Sequence, residues 1–157
     1  MTPSPAHNLA EKLLVEGERT AAFFEDLGVE AWSRQLYAHD NLWTVRDALE
    51  HLTLAETNLI AIIADVAAGG TGAPDGFDID AFNRDHTGHL AALHRPALLA
   101  AYRTQRARTA ELARSLSESQ LALRGRHPAM GDASVADMLK MIYLHNAMHV
   151  KDVKRLA

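Results

Sequence analysis

The sequence predicts an all-α domain, a bundle of four main helices with a short extra helix before the third long one. Three observations carry this expectation. Apolar residues recur at three- and four-residue spacing in four long segments, a capping hydroxyl or a proline stands at the start of three of them, and the alternation of a half-buried strand is absent throughout. The first helix runs from about Ser4 to Leu27, where Leu9, Leu13, Gly17, Thr20, Phe24 and Leu27 recur at helical spacing and Gly28 is placed to stop it. A connector holding Trp32, Tyr37 and Trp43 leads to Thr44. This residue can cap the second helix, with Asp47 at the capping-box position, and Ala48, His51, Ala55, Leu59, Ile62 and Val66 then trace one face as far as Gly69 and Gly70.

The stretch GGTGAPDGFD, from Gly69 to Asp78, is glycine-rich and reads as the most flexible internal segment, one that would admit substrate. Ile79, Phe82, Leu90 and Leu93 then outline a short helix over Ile79 to Leu93. Pro96 suits the first turn of the third long helix, which reaches about Leu116. RGRHPAMGDA, from Arg124 to Ala133, reads as a loop, and Ser134 opens the last helix with Asp137 three residues on. TVRDAL at Thr44 and SVADML at Ser134 match in hydroxyl, Val, Asp and Leu. Shared capping chemistry and an internal repeat both account for that echo.

Composition excludes several functions. A chain of 157 residues is expected to fold as one domain over its whole length, with a real core. The net charge of −4 and pI near 6.1 offer no basic excess to neutralise phosphates, so neither nucleic acid nor an anionic membrane is an expected partner. With no cysteine there is no disulfide, no thiolate ligand and no cysteine nucleophile, so any metal must use His, Asp, Glu or water. The N-terminal residues MTPSPAHNLAEK carry no basic segment followed by an apolar run, and a cytoplasmic location is expected.

Histidines occupy positions where the helical pattern calls for apolar residues. His51 lies on the stripe of the second helix, and His145 and His149 continue the series Val135, Met138, Ile142 that resumes at Val153 and Leu156. A pair at i and i+4 projects from one face, and a third imidazole from a facing helix would complete a metal triad of His51, His145 and His149. His51 lies about 10 Å along its helix from the cap, and His145 and His149 about 16 and 22 Å along theirs, so convergence depends on antiparallel packing or relative sliding.

Two motifs carry a family resemblance. WTVRDALEHL, Trp43 to Leu52, with Glu56 after it, resembles the first signature of the DinB/YfiT-like superfamily, and HPAMGDASVADMLKMIYLHNAMHVKDVKRL, His127 to Leu156, resembles its C-terminal one. Phe82 and Asn83 fit between them, so the likeness spans nearly the whole chain. It implies an up-down-down-up bundle, commonly dimeric, with a divalent metal held by His51, His145 and His149. Zinc and nickel both suit imidazole ligands. Relatives using bacillithiol or mycothiol imply a metal-dependent S-transferase that activates a low-molecular-weight thiol toward a small-molecule substrate. The alternatives are a metal-dependent hydrolase and a stress-associated metal-binding protein without turnover. Apolar residues beyond the main stripes, among them Leu14, Phe23, Met141, Tyr143 and Met148, add to the expectation of a homodimer.

The remaining candidates have plainer readings. His86 and His89, with His94 nearby, lie in a polar segment and are expected at a rim or in solvent; His7, His39 and His127 are expected in loops or at the surface. Glu56 is either a hydrogen-bond partner behind the triad or exposed. Trp43 is expected to anchor the entrance to the second helix; Tyr102 and Gln105 either sit at the edge of the core or line a pocket, and Arg124 and Arg126 are either solvated or bind a carboxylate or thiol-cofactor anion. No serine stands in a recognisable triad with histidine and an acid.

Overall fold

A computed structural model describes residues 2–37 and 43–156. Helix α1, Pro5–Asp26, opens on Ser4, whose hydroxyl accepts from the His7 N–H at 3.2 Å. It ends differently from the sequence expectation. The chain leaves the helix by becoming extended at Leu27, so Gly28, at φ −64°, supplies no left-handed stop and instead begins the short α2, Val29–Trp32. Helix α3, Val45–Ala67, has the expected capping box. The Asp47 N–H reaches Thr44 Oγ1 at 3.3 Å while the Asp47 carboxylate accepts from the Thr44 N–H at 2.9 Å.

Helix α4 spans only Ile79–His86, shorter than the predicted Ile79 to Leu93. Gly88, at φ +93°, turns the chain out of the helix, and the Glu50 carboxylate takes up the freed Gly88 and Leu90 N–H groups at 2.6 and 3.2 Å. Helix α5, Arg95–Ser115, carries Pro96 in its first turn and is capped by His94; α6, Glu118–Ala122, is a single turn. Residues 124–134 correct the expected loop. β1, Arg124–His127, pairs antiparallel with β2, Gly131–Ser134, Arg124 facing Ser134 and His127 facing Gly131. Strands of four residues are too short for alternation to show in sequence. Helix α7, Val135–Lys154, starts from Ser134, whose hydroxyl accepts from the Asp137 N–H.

The glycine-rich stretch is also held more firmly than expected. Thr71 O accepts from Arg126 N–H and Arg126 O accepts from Ala73 N–H, both at 2.8 Å, so residues 71–73 lie along β1. A Cβ on Gly72 would fall 2.4 Å from the Arg126 carbonyl oxygen, an approach open only to glycine. Arg126 is thereby committed to this clamp, donating to Ala73 O and pairing with Asp75, while Arg124 pairs with Asp132.

The four long helices surround two apolar clusters. α1 packs against α5 and α7, and α3 packs against the same two, which leaves α1 and α3 on one diagonal and α5 and α7 on the other. One cluster joins Ala10 and Leu13, early in α1, to Ile63 and Val66 late in α3, Ala113 late in α5 and Met138 early in α7. The other joins Phe24, Leu49, Leu98 and Val153. The order is therefore up-down-down-up, with α3 parallel to α5 and antiparallel to α7. Because α5 begins at the far end from where α3 stops, residues 68–94 must travel back along the bundle.

A buried ion pair lies at mid-height. Arg106 donates to both Glu56 oxygens at 2.8 and 3.0 Å and to Leu13 O at 2.9 Å, and Thr109 Oγ1 donates to Glu56 Oε1 at 2.7 Å. Burial works against the Arg106 charge, but the Glu56 carboxylate outweighs it and holds the guanidinium above its ordinary pKa. Asn146 completes the layer, its amide oxygen turned to Arg106 and the Tyr102 hydroxyl and its amide nitrogen to Ile142 O. Glu56, 2% exposed, is thus neither behind the triad nor in solvent, and Tyr102 and Gln105 lie inside the core rather than at its edge. With these partners the pair is satisfied, which is the condition under which buried charges are tolerated.

Candidate metal centre

Antiparallel packing of α3 and α7 settles the register that the sequence leaves open. His51 lies in the first third of α3, His145 at the middle of α7 and His149 one turn further toward its end, and the start of α3 packs beside the end of α7. His145 Nε2 stands 3.2 Å from His51 Nε2 and 3.0 Å from His149 Nε2, and all three ligand atoms lie within 4.8 Å of one another. Around an ion with nitrogen ligands at ~2.05 Å, the edge of a coordination tetrahedron is about 3.3 Å. The three side chains could hold a metal ion at that geometry.

The surroundings keep these rings neutral. Burial, reinforced by the neighbouring imidazoles, pushes His51 down to about 2 and His145 down to about 4. Burial also lowers His149, against the pull of the Asp152 charge. The Tyr37 hydroxyl donates to Asp152 Oδ2 at 2.8 Å and lies 2.9 Å from His149 Nδ1. Since its one proton is engaged by the carboxylate, Tyr37 can only accept from the imidazole, which assigns the His149 proton to Nδ1 and the free lone pair to Nε2. Burial and the same bond to Asp152 raise the Tyr37 pKa, keeping the phenol protonated. Trp43, 5% exposed, anchors the entrance to α3 as expected and also covers the His51 ring at 4.6 Å between centroids.

Tyr37 and Asp152 are the residues that sequence reasoning missed. Asp152 had a signal, since a carboxylate one turn beyond His149 can reach around it. Tyr37 had none, because it arrives from a connector.

Beside the triad lies a cavity of about 150 Å³, lined by His51, His145, Phe77, Phe82, Met141 and His127 among others. His127 corrects the expectation of a surface or loop position. It closes β1, is 3% exposed, and its Nδ1 accepts from the Ala129 and Met130 N–H groups at 3.1 and 3.2 Å. The strand pairing turns the ring inward, and burial lowers its pKa. His86 bears out a rim position: it stacks on Phe82 at 3.8 Å and lines a small pocket next to His51, while His89 is exposed. His7 is exposed as expected, and His39 lies outside the described residues.

Fold and site together define a class: up-down-down-up helical bundles with converging histidines between an antiparallel helix pair. The chain belongs to the DinB superfamily, whose family model matches residues 13–153. Among solved structures it is similar to YfiT from Bacillus subtilis, described as "a probable metal-dependent hydrolase with an unusual four-helix bundle topology". The two share 18% identity, and the match covers 99% of this chain and 88% of that one at a TM-score of 0.71. At this identity the likeness is one of fold. No curated protein matches the chain. No helix among the described residues is long and apolar enough to cross a membrane.

Proposed function

We propose that this protein is a divalent-metal-dependent S-transferase, with His51, His145 and His149 as the metal ligands and a low-molecular-weight thiol as cosubstrate. The convergence of three Nε2 atoms beside an apolar cavity carries the reading. The donor set fits zinc or nickel: three neutral imidazoles, one with its tautomer fixed by Tyr37. A divalent ion there would be held by His51, His145 and His149 and would supply a Lewis acid that lowers the pKa of a thiol or water.

The chain's own residues supply the rest. Phe77, Phe82 and Met141 offer an apolar wall for the body of an electrophilic substrate, and no carboxylate lines the cavity among the described residues. In the transfer, the thiol proton passes to solvent, the sulfur forms a bond to the electrophilic carbon, and the bond that breaks gives its pair to departing chloride or, in an epoxide, to the ring oxygen, which takes a proton from solvent. Neither an acidified thiol nor an acidified water needs a side-chain base, but the lining offers no carboxylic acid to protonate the alkoxide or amine leaving group of an ester or amide, which suits thiol transfer better than hydrolysis.

The fold likeness to YfiT favours a second reading, a metal-dependent hydrolase. The discriminating experiment incubates metal-loaded protein with bacillithiol, mycothiol or glutathione and an aromatic chloride or epoxide, in parallel with esters and amides without thiol. Conjugates detected by mass spectrometry and lost in His149→Ala support the transferase. Thiol-independent cleavage with the same metal dependence supports the hydrolase, and failure of both panels with metal bound favours a binding protein without turnover.

A further inference from the structure

One residue of the cavity wall carries a buried polar atom that no group among the described residues satisfies. His127 Nδ1 accepts two backbone N–H groups of the hairpin turn, so the ring proton of the neutral imidazole resides on Nε2. That Nε2–H is buried just behind the cavity surface and has no hydrogen-bond partner among the described residues. An unmade hydrogen bond on a buried donor costs roughly 1–3 kcal/mol, so such a group in a folded protein calls for a partner. His127 lines the same cavity as His51 and His145, whose walls are otherwise mostly carbon. A cavity of about 150 Å³ with apolar walls is of a size that holds a benzene ring.

We infer that His127 is a specificity-determining residue: its Nε2–H donates to a carbonyl-type oxygen of a substrate whose aromatic or similarly compact apolar body fills the cavity beside Phe77, Phe82 and Met141. The inference rests on the reading of this cavity as the substrate site. His127 recognises the acceptor while the backbone bonds to Nδ1 hold the ring in place. Ligands of equal shape that lack the oxygen leave the donor buried and unpaired, which is a stronger basis for discrimination than apolar contact alone.

Acetophenone and α-methylstyrene form a matched pair of probes, the second replacing C=O by C=CH2. Titration of the full-length protein, followed by NMR, is expected to give tighter binding of acetophenone by roughly three- to tenfold, the factor a single neutral hydrogen bond contributes. The His127 Nε2–H signal is expected to shift with acetophenone and not with α-methylstyrene. His127→Asn is the informative variant, since Asn Oδ1 can accept from Ala129 and Met130 in place of Nδ1 while nothing occupies the Nε2 position. It is expected to keep the melting temperature within a few degrees and to bind both probes equally. An acetophenone preference that persists in His127→Asn, equal binding of both probes by the wild type, or binding of neither overturns the inference. Metal content of the same samples separates this outcome from the proposed function: metal bound with no carbonyl preference removes only the role of His127, whereas a preference without metal removes the ligand assignment.

Discussion

The Cβ that Gly17 lacks would stand 2.5 Å from Cγ and 2.8 Å from Nη1 of Arg106. Glycine at the middle of α1 is therefore the space in which a buried guanidinium lies against Glu56. Gly17→Ala gains about 1 kcal/mol of helix propensity but displaces the Arg106 stem, at a typical overpacking cost of 1–3 kcal/mol and more if the ion pair opens. The net expectation is a loss of up to about 2 kcal/mol, and more if the ion pair opens, read by urea denaturation. A variant as stable as the wild type would show that Arg106 has another place to go.

The bond from His149 Nδ1 to Tyr37 orients a proposed ligand. Tyr37→Phe removes the acceptor without changing the ring's bulk, and zinc affinity is expected to fall by about 10- to 100-fold. Competition with a chromophoric chelator measures it. His149→Ala is expected to lose far more, and identical affinities in wild type and Tyr37→Phe would show that Trp43 and the helix alone position the imidazole.

Stability of the metal-free protein should fall as the pH drops. Above 6.5, the ordinary imidazole value, His51 and His145 are neutral in both folded and unfolded chains and add no pH dependence. Below 6.5 the unfolded chain binds protons that the folded chain refuses until the pH nears about 4 for His145 and about 2 for His51. Each group then removes up to about 1.4 kcal/mol per pH unit. Denaturation midpoints between pH 7.5 and 5 should decline less steeply in His51→Ala than in wild type; equal slopes would mean that the imidazole titrates normally. Zinc affinity should weaken in the same direction, because the ligands must be neutral.

A homodimer is expected in solution. Val15 of α1 and Leu144 and Met148 of α7 are 49%, 49% and 60% exposed, on two helices that pack side by side. Light scattering at micromolar concentration should give twice the 17.2 kDa chain mass, and Leu144→Glu with Met148→Glu should give the single-chain mass. A wild-type monomer that does not change on dilution would leave these residues as ordinary surface.

Long helices were legible because each repeats one signal over about twenty residues. The apolar stripes, Thr44, Pro96 and Ser134 mark the same starts in sequence and structure. His51, His145 and His149 stood out because they interrupt those stripes. The hairpin escaped notice because four-residue strands carry too little pattern, and with it escaped the burial of His127. Glu56 was ambiguous because its partner, Arg106, lies 50 residues away on another helix. Periodicity reports which face a residue occupies, not which side chain it meets there.

The parallel alignment of α3 and α5 has a consequence for how such a protein changes over time. Antiparallel neighbours can be joined by a tight turn, but two parallel helices of over twenty residues oblige the chain to return by about 30 Å before the second begins. Residues 68–94 make that journey, and on the way they contribute Phe77, Ile79, Phe82 and Asn83 to the cavity wall. The three imidazoles sit on the bundle's rigid helices, whereas much of the wall belongs to a strap whose length and residues can vary with little effect on helix packing. On the proposed function, metal chemistry and much of substrate selectivity would lie in separable stretches of one chain, so that new substrates could be acquired without rebuilding the core.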